Sequence, residues 1–287
     1  MGLIPDRVKR WGGLVAFSHS VFALPFALVM VVAVHRLQPV TWQQLSLLVV
    51  CVVAARFAAM GFNRLVDHRI DAANERTMNR ELPAGRVSRL EATVLVSTAA
   101  CVFIGASFAL GRHCGVLSFP VLALLFGYSL MKRFSSLCHF VLGLALACAP
   151  GGVWYALTGT WSWRPVPLMA AVLLWVAGFD ILYACQDVEY DRKAGLKSIP
   201  SSLGVARALW LAPLVHVLAV LALALFGYSW GMGAVFWCGL VIFAGLIASQ
   251  HLIVRSVGLQ AIDRVFFTRN GAASVVLCIF AWIDCLR

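Results

Sequence analysis

Apolar stretches near 20 residues recur along the whole chain, at about 14–34, 43–63, 91–111, 115–131, 137–158, 165–186, 206–227, 231–254 and 269–286. A helix of roughly 20 residues rises about 30 Å, the thickness of the hydrocarbon core of a bilayer. No water is present there to satisfy backbone amides, so a lone apolar stretch of this length crosses as a helix. The pattern predicts nine transmembrane helices joined by short turns, several marked by Gly or Pro. The first stretch follows Arg7, Lys9 and Arg10, as a secretory signal would. It is long, however, and lacks a small-residue cleavage site, so it reads as a retained helix. The expectation is one all-α integral membrane domain over residues 1–287.

Composition agrees and charge adds an orientation. The chain is 62% hydrophobic and 12% charged, whereas roughly a quarter of the residues of a soluble domain are charged. With the N-terminus cytoplasmic, eighteen Lys and Arg fall on the cytoplasmic side and four on the other (Arg36, Arg112, Arg164 and Arg287), while Arg56 lies inside the second span. That asymmetry is the positive-inside pattern. It predicts a multi-pass protein of the inner (cytoplasmic) membrane with its polar chemistry facing the cytoplasm. The net charge of +11 then reflects topology and attraction to anionic lipid, and no nucleic-acid partner is expected. Nine cysteines without a C-x-x-C pair read as small buried hydrophobes rather than disulfides or a thiolate metal site.

The acidic residues are the informative ones. Of twelve, five lie between Asp67 and Glu91 and four between Asp180 and Asp191, each cluster starting at the cytoplasmic end of a span. Asp67 and Asp71 recur as Asp187 and Asp191 with the same spacing, and each pair is followed by basic residues and then by a Pro and a Gly (Pro83, Gly85; Pro200, Gly204). This hints at two related halves. Residues four apart on a helix share a face. Asn63 extends the first row, and Asp180 with Tyr183 or Ala184 extends the second. Stacked carboxylates repel, the more so where the dielectric falls at a membrane boundary, and a divalent cation relieves the repulsion.

Oxygen ligands without Cys or His select Mg²⁺ or Ca²⁺ over zinc. Mg²⁺ usually takes one or two carboxylates and completes its shell with water and substrate phosphate. Two Mg²⁺ ions gripping a diphosphate are therefore expected, with Asn63, Asp67, Asp71, Asp187 and Asp191 as ligands. The competing reading is two acidic loops paired with nearby arginines. Arg76, Arg80, Lys132, Arg133, Lys193 and Lys197 lie in loops on the same side; among them Arg76, Lys132, Arg133 and Lys197 are taken as diphosphate contacts. Arg56 lies seven residues before Asn63 on the same face, about 10 Å deeper. An arginine at that depth faces a cavity or a partner. His19, His216 and His251 are isolated and read as packing or hydrogen-bonding residues. No G-x-x-x-x-G-K, H-E-x-x-H or G-x-S-x-G string occurs, which removes support for nucleotide hydrolysis, zinc proteolysis and serine hydrolysis.

The run from Asn63 to Gly85 (NRLVDHRIDAANERTMNRELPAG) resembles the first aspartate motif of the UbiA prenyltransferase superfamily. Asp180 to Asp191 (DILYACQDVEYD), continuing through Gly195-Leu-Lys197-Ser198, resembles the second, and Tyr128 to Arg133 (YSLMKR) the loop after the fourth span. Arg56 matches an arginine that quinone-pathway members carry upstream of the Asn. With nine spans, the resemblance covers nearly the whole chain. One departure stands out: many members read N-D-x-x-D-x-x-x-D, and Arg64 replaces the extra Asp.

The resemblance implies a nine-helix bundle around a central cavity with cytoplasmic cap loops, open sideways to lipid. It is closest to the 4-hydroxybenzoate polyprenyltransferase-like group. That implies Mg²⁺-dependent transfer of a polyprenyl group from polyprenyl diphosphate to an aromatic carboxylic acid resembling 4-hydroxybenzoate, in quinone biosynthesis and with release of diphosphate. The alternative acceptor is 1,4-dihydroxy-6-naphthoate, for menaquinone. Arg56, through the acceptor carboxylate, and Tyr183 are the acceptor-binding candidates. Asp180, Asp187 and Asp191 are the candidates for the proton acceptor, and the sequence does not choose among them. A reading of a different class is an ion-coupled membrane transporter, although such proteins usually place carboxylates near the midplane rather than at span ends. The signature string of CDP-alcohol phosphatidyltransferases is absent.

Overall fold

The computed structural model describes Gly12, Leu14 and residues 22–287, apart from the side chains of residues 264–267. Arg7, Lys9, Arg10, His19 and much of the first expected span lie outside the described residues. Helices follow one another without a strand among the residues described: α1 (Leu24–His35), α2 (Trp42–Ala73), α3 (Arg89–Leu110), α4 (Arg112–Met131), α5 (Cys138–Thr158) and α6 (Val166–Ala184). A 3₁₀ turn (Cys185–Asp187) then leads to α7 (Val188–Lys193), α8 (Ile199–Leu203), α9 (Val205–Ser229) and α10 (Ala234–Val257). Short α11 (Ile262–Val265) and a π-helical turn (Phe266–Asn270) precede α12 (Gly271–Cys285).

Seven of these segments are long and apolar enough to cross a membrane: α2, α3, α4, α5, α6 with its extension to Lys193, α9 and α10. Two of the nine expected spans are shorter as described, α1 with 12 residues and α12 with 15. On α9, Leu214, Val217, Leu218, Leu221 and Leu225 form an exposed stripe at helical spacing, and Trp42, Trp161 and Trp163 stand out beside helix ends. Such a stripe is costly in water and ordinary in lipid, with the tryptophans at home at the interface. The chain is a multi-span membrane protein.

Among the described residues two compact units are distinguishable, one that includes Ser46–Leu130, the other residues 22–45 and Met131–Arg287. In the first, Phe62 on α2 stacks on Phe126 of α4 with ring centroids 4.4 Å apart. Ser88 and Glu91 form a reciprocal capping box that starts α3. In the second, α5, α6 and α9 pack closely at small residues. A methyl group on Gly143 would meet the Leu173 carbonyl oxygen at 2.3 Å, and one on Gly178 would meet the His216 ring at 2.6 Å. Small residues let membrane helices approach in this way.

Trp175, fully buried, anchors an aromatic cluster with Phe22, Phe26, Phe179 and Phe243. Its indole N–H donates to Asn270 Oδ1 (3.1 Å), and Asn270 Nδ2 donates to Gln250 Oε1 (2.9 Å). His216 reaches His251 (2.7 Å) and the Trp175 carbonyl (3.1 Å). His216 and His251 are thus hydrogen-bonding residues of the core, as the sequence reading has them.

Candidate active site

In the first unit α2 continues past its apolar stretch to Ala73, so Asn63, Asp67 and Asp71 ride one helical stripe. Asp67 is 1% exposed and Asp71 4%. Asn63 Nδ2 donates to Asp67 Oδ2 at 3.2 Å, and Arg80 donates to Asp71 Oδ1 at 2.7 Å. Arg64 brings its guanidinium to 3.9 Å from Asp71 Oδ2. That distance is too long for a hydrogen bond, and Asp71 Oδ2 is buried without one among the described residues. The Thr77 hydroxyl donates to the Asp71 carbonyl (3.0 Å) and the Arg76 amide to Asn74 Oδ1 (3.0 Å). These bonds fold the loop back on the end of α2 and bring Arg80 to Asp71; Arg76 is half-buried nearby in sequence. Two turns deeper, Arg56 is half-buried and its Nε has no hydrogen-bond partner among the described residues. The Tyr128 phenol of α4 lies within electrostatic reach of it.

In the second unit the helix carrying the other pair breaks. The Cys185 thiol donates to the Ile181 carbonyl (3.4 Å), the oxygen a regular α-helix would give to the Cys185 amide. That amide turns to Leu182 instead, and the 3₁₀ turn Cys185–Asp187 follows. Asp187 therefore ends a tighter turn and Asp191 lies in α7, where the four-residue spacing had pointed to one uninterrupted helix. The two carboxylates stay within electrostatic reach of each other, and Lys132 within reach of Asp191. The Ser198 hydroxyl donates to Asp191 Oδ2 at 3.0 Å while also capping α8. The Lys197 amide donates to the Lys132 carbonyl at 2.7 Å, clasping together the two loops that carry Lys132, Arg133 and Lys197. Lys197 is exposed, Lys132 and Arg133 half-buried. One turn before Asp187, Tyr183 packs on the cluster of Ile181, Leu182 and Cys185. Asp180 Oδ2 meets His139 Nδ1 at 2.7 Å, and the Ile199 amide donates to His139 Nε2 at 3.2 Å.

Each unit thus assembles a set of groups that the sequence had singled out. The first joins Asn63, Asp67 and Asp71 to Arg80; the second joins Asp191 to Ser198 and brings Lys132 beside Lys197. Among the described residues, no three His, Cys, Asp or Glu side chains gather as a ready-made metal cluster. The carboxylates come in twos, the number Mg²⁺ commonly takes from a protein.

Known proteins supply the decisive likeness. The model of the UbiA prenyltransferase family matches residues 23–272. The chain belongs to the UbiA prenyltransferase family. Among its relatives, the 4-hydroxybenzoate octaprenyltransferase of Chromohalobacter salexigens is 31% identical over 237 residues, covering 81% of this chain and 78% of that one. The enzyme of the same name from Saccharophagus degradans is 32% identical over 236 residues, with 82% and 78% covered. A UbiA homologue from Aeropyrum pernix, solved in its apo form, superposes with a TM-score of 0.84 at 31% identity, covering 93% of this chain and 98% of that one. One from Archaeoglobus fulgidus, solved with DMAPP and Mg²⁺, shares the fold (TM-score 0.69, 18% identity, 96% and 99% covered). This UbiA-family member is an enzyme, a prenyltransferase.

Sequence reasoning missed His139, and it ranked Arg80 below other cations although it contacts an aspartate of the motif directly. His139 is a lone histidine at the start of an apolar helix, and its partner Asp180 lies 41 residues away. Nothing in the local spacing signals that meeting. The available hint was Asp180 itself, a carboxylate placed inside a span.

Proposed function

We propose that this UbiA-family enzyme transfers a polyprenyl group from polyprenyl diphosphate to an aromatic hydroxy acid resembling 4-hydroxybenzoate, with Mg²⁺ and in quinone biosynthesis. The observation that carries the reading is the buried end of α2, where Asp67 and Asp71 lie almost out of reach of solvent and Asp71 Oδ2 lacks a hydrogen bond among the described residues. Arg80 meets Oδ1, and the Arg64 guanidinium stands 3.9 Å from Oδ2 without bonding it, which leaves Oδ2 a lone pair open to a divalent ion. The donors are all oxygen, so the residues fit Mg²⁺: Asn63, Asp67 and Asp71 would hold one ion, Asp187 and Asp191 another. Bound Mg²⁺ supplies positive charge against the negative charge that builds on a diphosphate leaving group.

The chain's own groups do the rest. Lys132, Arg133, Lys197 and Arg76 contact the diphosphate oxygens and stabilise the same charge. The Lys197–Lys132 backbone bond holds together the two loops that carry Lys132, Arg133 and Lys197. Arg56, whose buried Nε has no hydrogen-bond partner among the described residues, would pair with the carboxylate of the acceptor, and Tyr183 would line the acceptor position. The allylic carbon bonds to a ring carbon ortho to the hydroxyl as its bond to diphosphate breaks. Asp180, Asp187 and Asp191 are the candidates to take the proton. The whole chain works as a single domain in the inner membrane, with its N-terminus and active site cytoplasmic; the Lys and Arg asymmetry supports that placement.

Relatives that are 4-hydroxybenzoate octaprenyltransferases support the acceptor class and weigh against ion-coupled transport. The test uses purified protein in detergent with radiolabelled prenyl diphosphate and a panel of aromatic acids. Mg²⁺-dependent labelling of 4-hydroxybenzoate, with diphosphate released, is expected. A labelled product from 1,4-dihydroxy-6-naphthoate alone moves the acceptor to menaquinone synthesis, and no labelled arene with any acid contradicts the proposal.

A further inference from the structure

We infer that Asp180 is the group that takes the phenolic proton of the acceptor, and that His139 is the positioning residue holding it; the inference rests on the aromatic-acceptor reading above. The tautomer comes first. The Ile199 backbone N–H can only donate, and it points at His139 Nε2 from 3.2 Å. Nε2 must therefore carry the lone pair and Nδ1 the hydrogen. Nδ1–H then donates to Asp180 Oδ2 at 2.7 Å, which makes His139 the donor and Asp180 Oδ2 the acceptor.

The two partners differ in access. The His139 side chain is 2% exposed and the Asp180 side chain 27%. One Asp180 oxygen is committed to the imidazole, and among the described residues the other, Oδ1, accepts no hydrogen bond. A carboxylate with a purely structural task looks different in this same unit. Asp284 uses both oxygens, accepting from the amides of Gly233 (2.7 Å) and Phe236 (3.2 Å) at the start of α10. Asp180 keeps an open oxygen inside a membrane helix, a costly arrangement unless something is bound there.

Neighbouring charge separates Asp180 from the other two candidates. Asp191 accepts from Ser198 and lies beside Lys132 and Asp187, so this pair belongs with the cations of the diphosphate position. Ser198 and Ile199 are consecutive residues, one bonded to Asp191 and the other to His139. The start of α8 thereby fixes the base relative to the diphosphate anchor.

In the step itself, the phenolic O–H proton passes to Asp180 Oδ1, and the ring carbon ortho to that oxygen forms its bond to the allylic carbon. The allylic C–O bond breaks and its electron pair leaves on diphosphate. The hydrogen on the substituted ring carbon is then lost to solvent as the ring regains aromaticity, and the phenolate recovers the proton held by Asp180.

The test compares Asp180→Asn, His139→Ala and His139→Gln with the unmodified enzyme. Gln can donate to Asp180 and accept from the Ile199 amide, as His139 does. Turnover is measured with 4-hydroxybenzoate and with its 3-fluoro derivative, whose phenol is more acidic. Donor affinity is measured with a non-transferable prenyl thiolodiphosphate. Asp180→Asn is expected to lower kcat about 10²-fold or more, with donor affinity kept, and the deficit relative to unmodified enzyme should shrink on the fluorinated acceptor. His139→Ala should show a smaller loss with the same acceptor dependence, and His139→Gln should recover most of it. Near-normal kcat for Asp180→Asn, equal deficits on both acceptors, or loss of donor affinity in step with turnover each overturn the assignment while leaving the proposed reaction standing. Failure of the unmodified enzyme to prenylate either acid overturns both.

Discussion

At the scale of single residues, the chemistry rests on side chains that are expensive to keep where they are. Arg56 is the clearest case outside the aspartates: a guanidinium within a span whose Nε finds no hydrogen-bond partner among the described residues. If it pairs with the acceptor carboxylate, Arg56→Ala removes a charged hydrogen bond worth about 1.5–3 kcal/mol. The KM for the aromatic acid should then rise by roughly 10- to 100-fold while the KM for the prenyl diphosphate holds. Equal rises in both constants in steady-state assays contradict the assignment. Arg56 and the aspartates were legible in the sequence because charge inside an apolar run is rare. His139 was not, because its meaning lies in a contact with Asp180 made only when α5 and α6 pack.

Among elements, two features of the helices set the positions of these groups. The first is the run of α2 to Ala73, which turns the spacing of Asn63, Asp67 and Asp71 into one stripe. The four-residue period gave that much. The second is the break after Ala184, which the period could not give; there the Cys185 thiol donates to the Ile181 carbonyl and the Cys185 amide turns to Leu182. Close approach of α5 to α6 then keeps the second set of groups in place. Gly143→Ala would press a methyl group against the Leu173 carbonyl at 2.3 Å, a backbone atom that cannot step aside. A loss of about 1–3 kcal/mol is expected, read as a lower thermal midpoint in detergent. Gly127→Ala on α4, with open space around it, should leave the midpoint unchanged. Equal midpoints for the two variants would contradict the close packing at Gly143. Ser198→Ala tests a cap and a carboxylate contact together; about 1 kcal/mol of stability is expected to go with the cap, along with turnover as Asp191 loses its hydroxyl partner.

For the whole molecule, hydropathy announced a multi-span helical protein, and the two motif runs announced its family. Seven spans follow directly from helix length, whereas the expected first and last stretches correspond to the shorter α1 and α12. Hydropathy registers apolar composition and is blind to the π-helical turn that precedes α12. The central claim is that both aspartate pairs serve one Mg²⁺-dependent transfer. Removing divalent ions with EDTA should abolish product formation, and Mg²⁺ should restore it. The most direct measurement is single-turnover prenyl transfer by Asp67→Ala and Asp187→Ala, each purified as folded protein. The account predicts a loss of about 10²-fold or more in rate for each. A variant of either pair that keeps near wild-type turnover would contradict it.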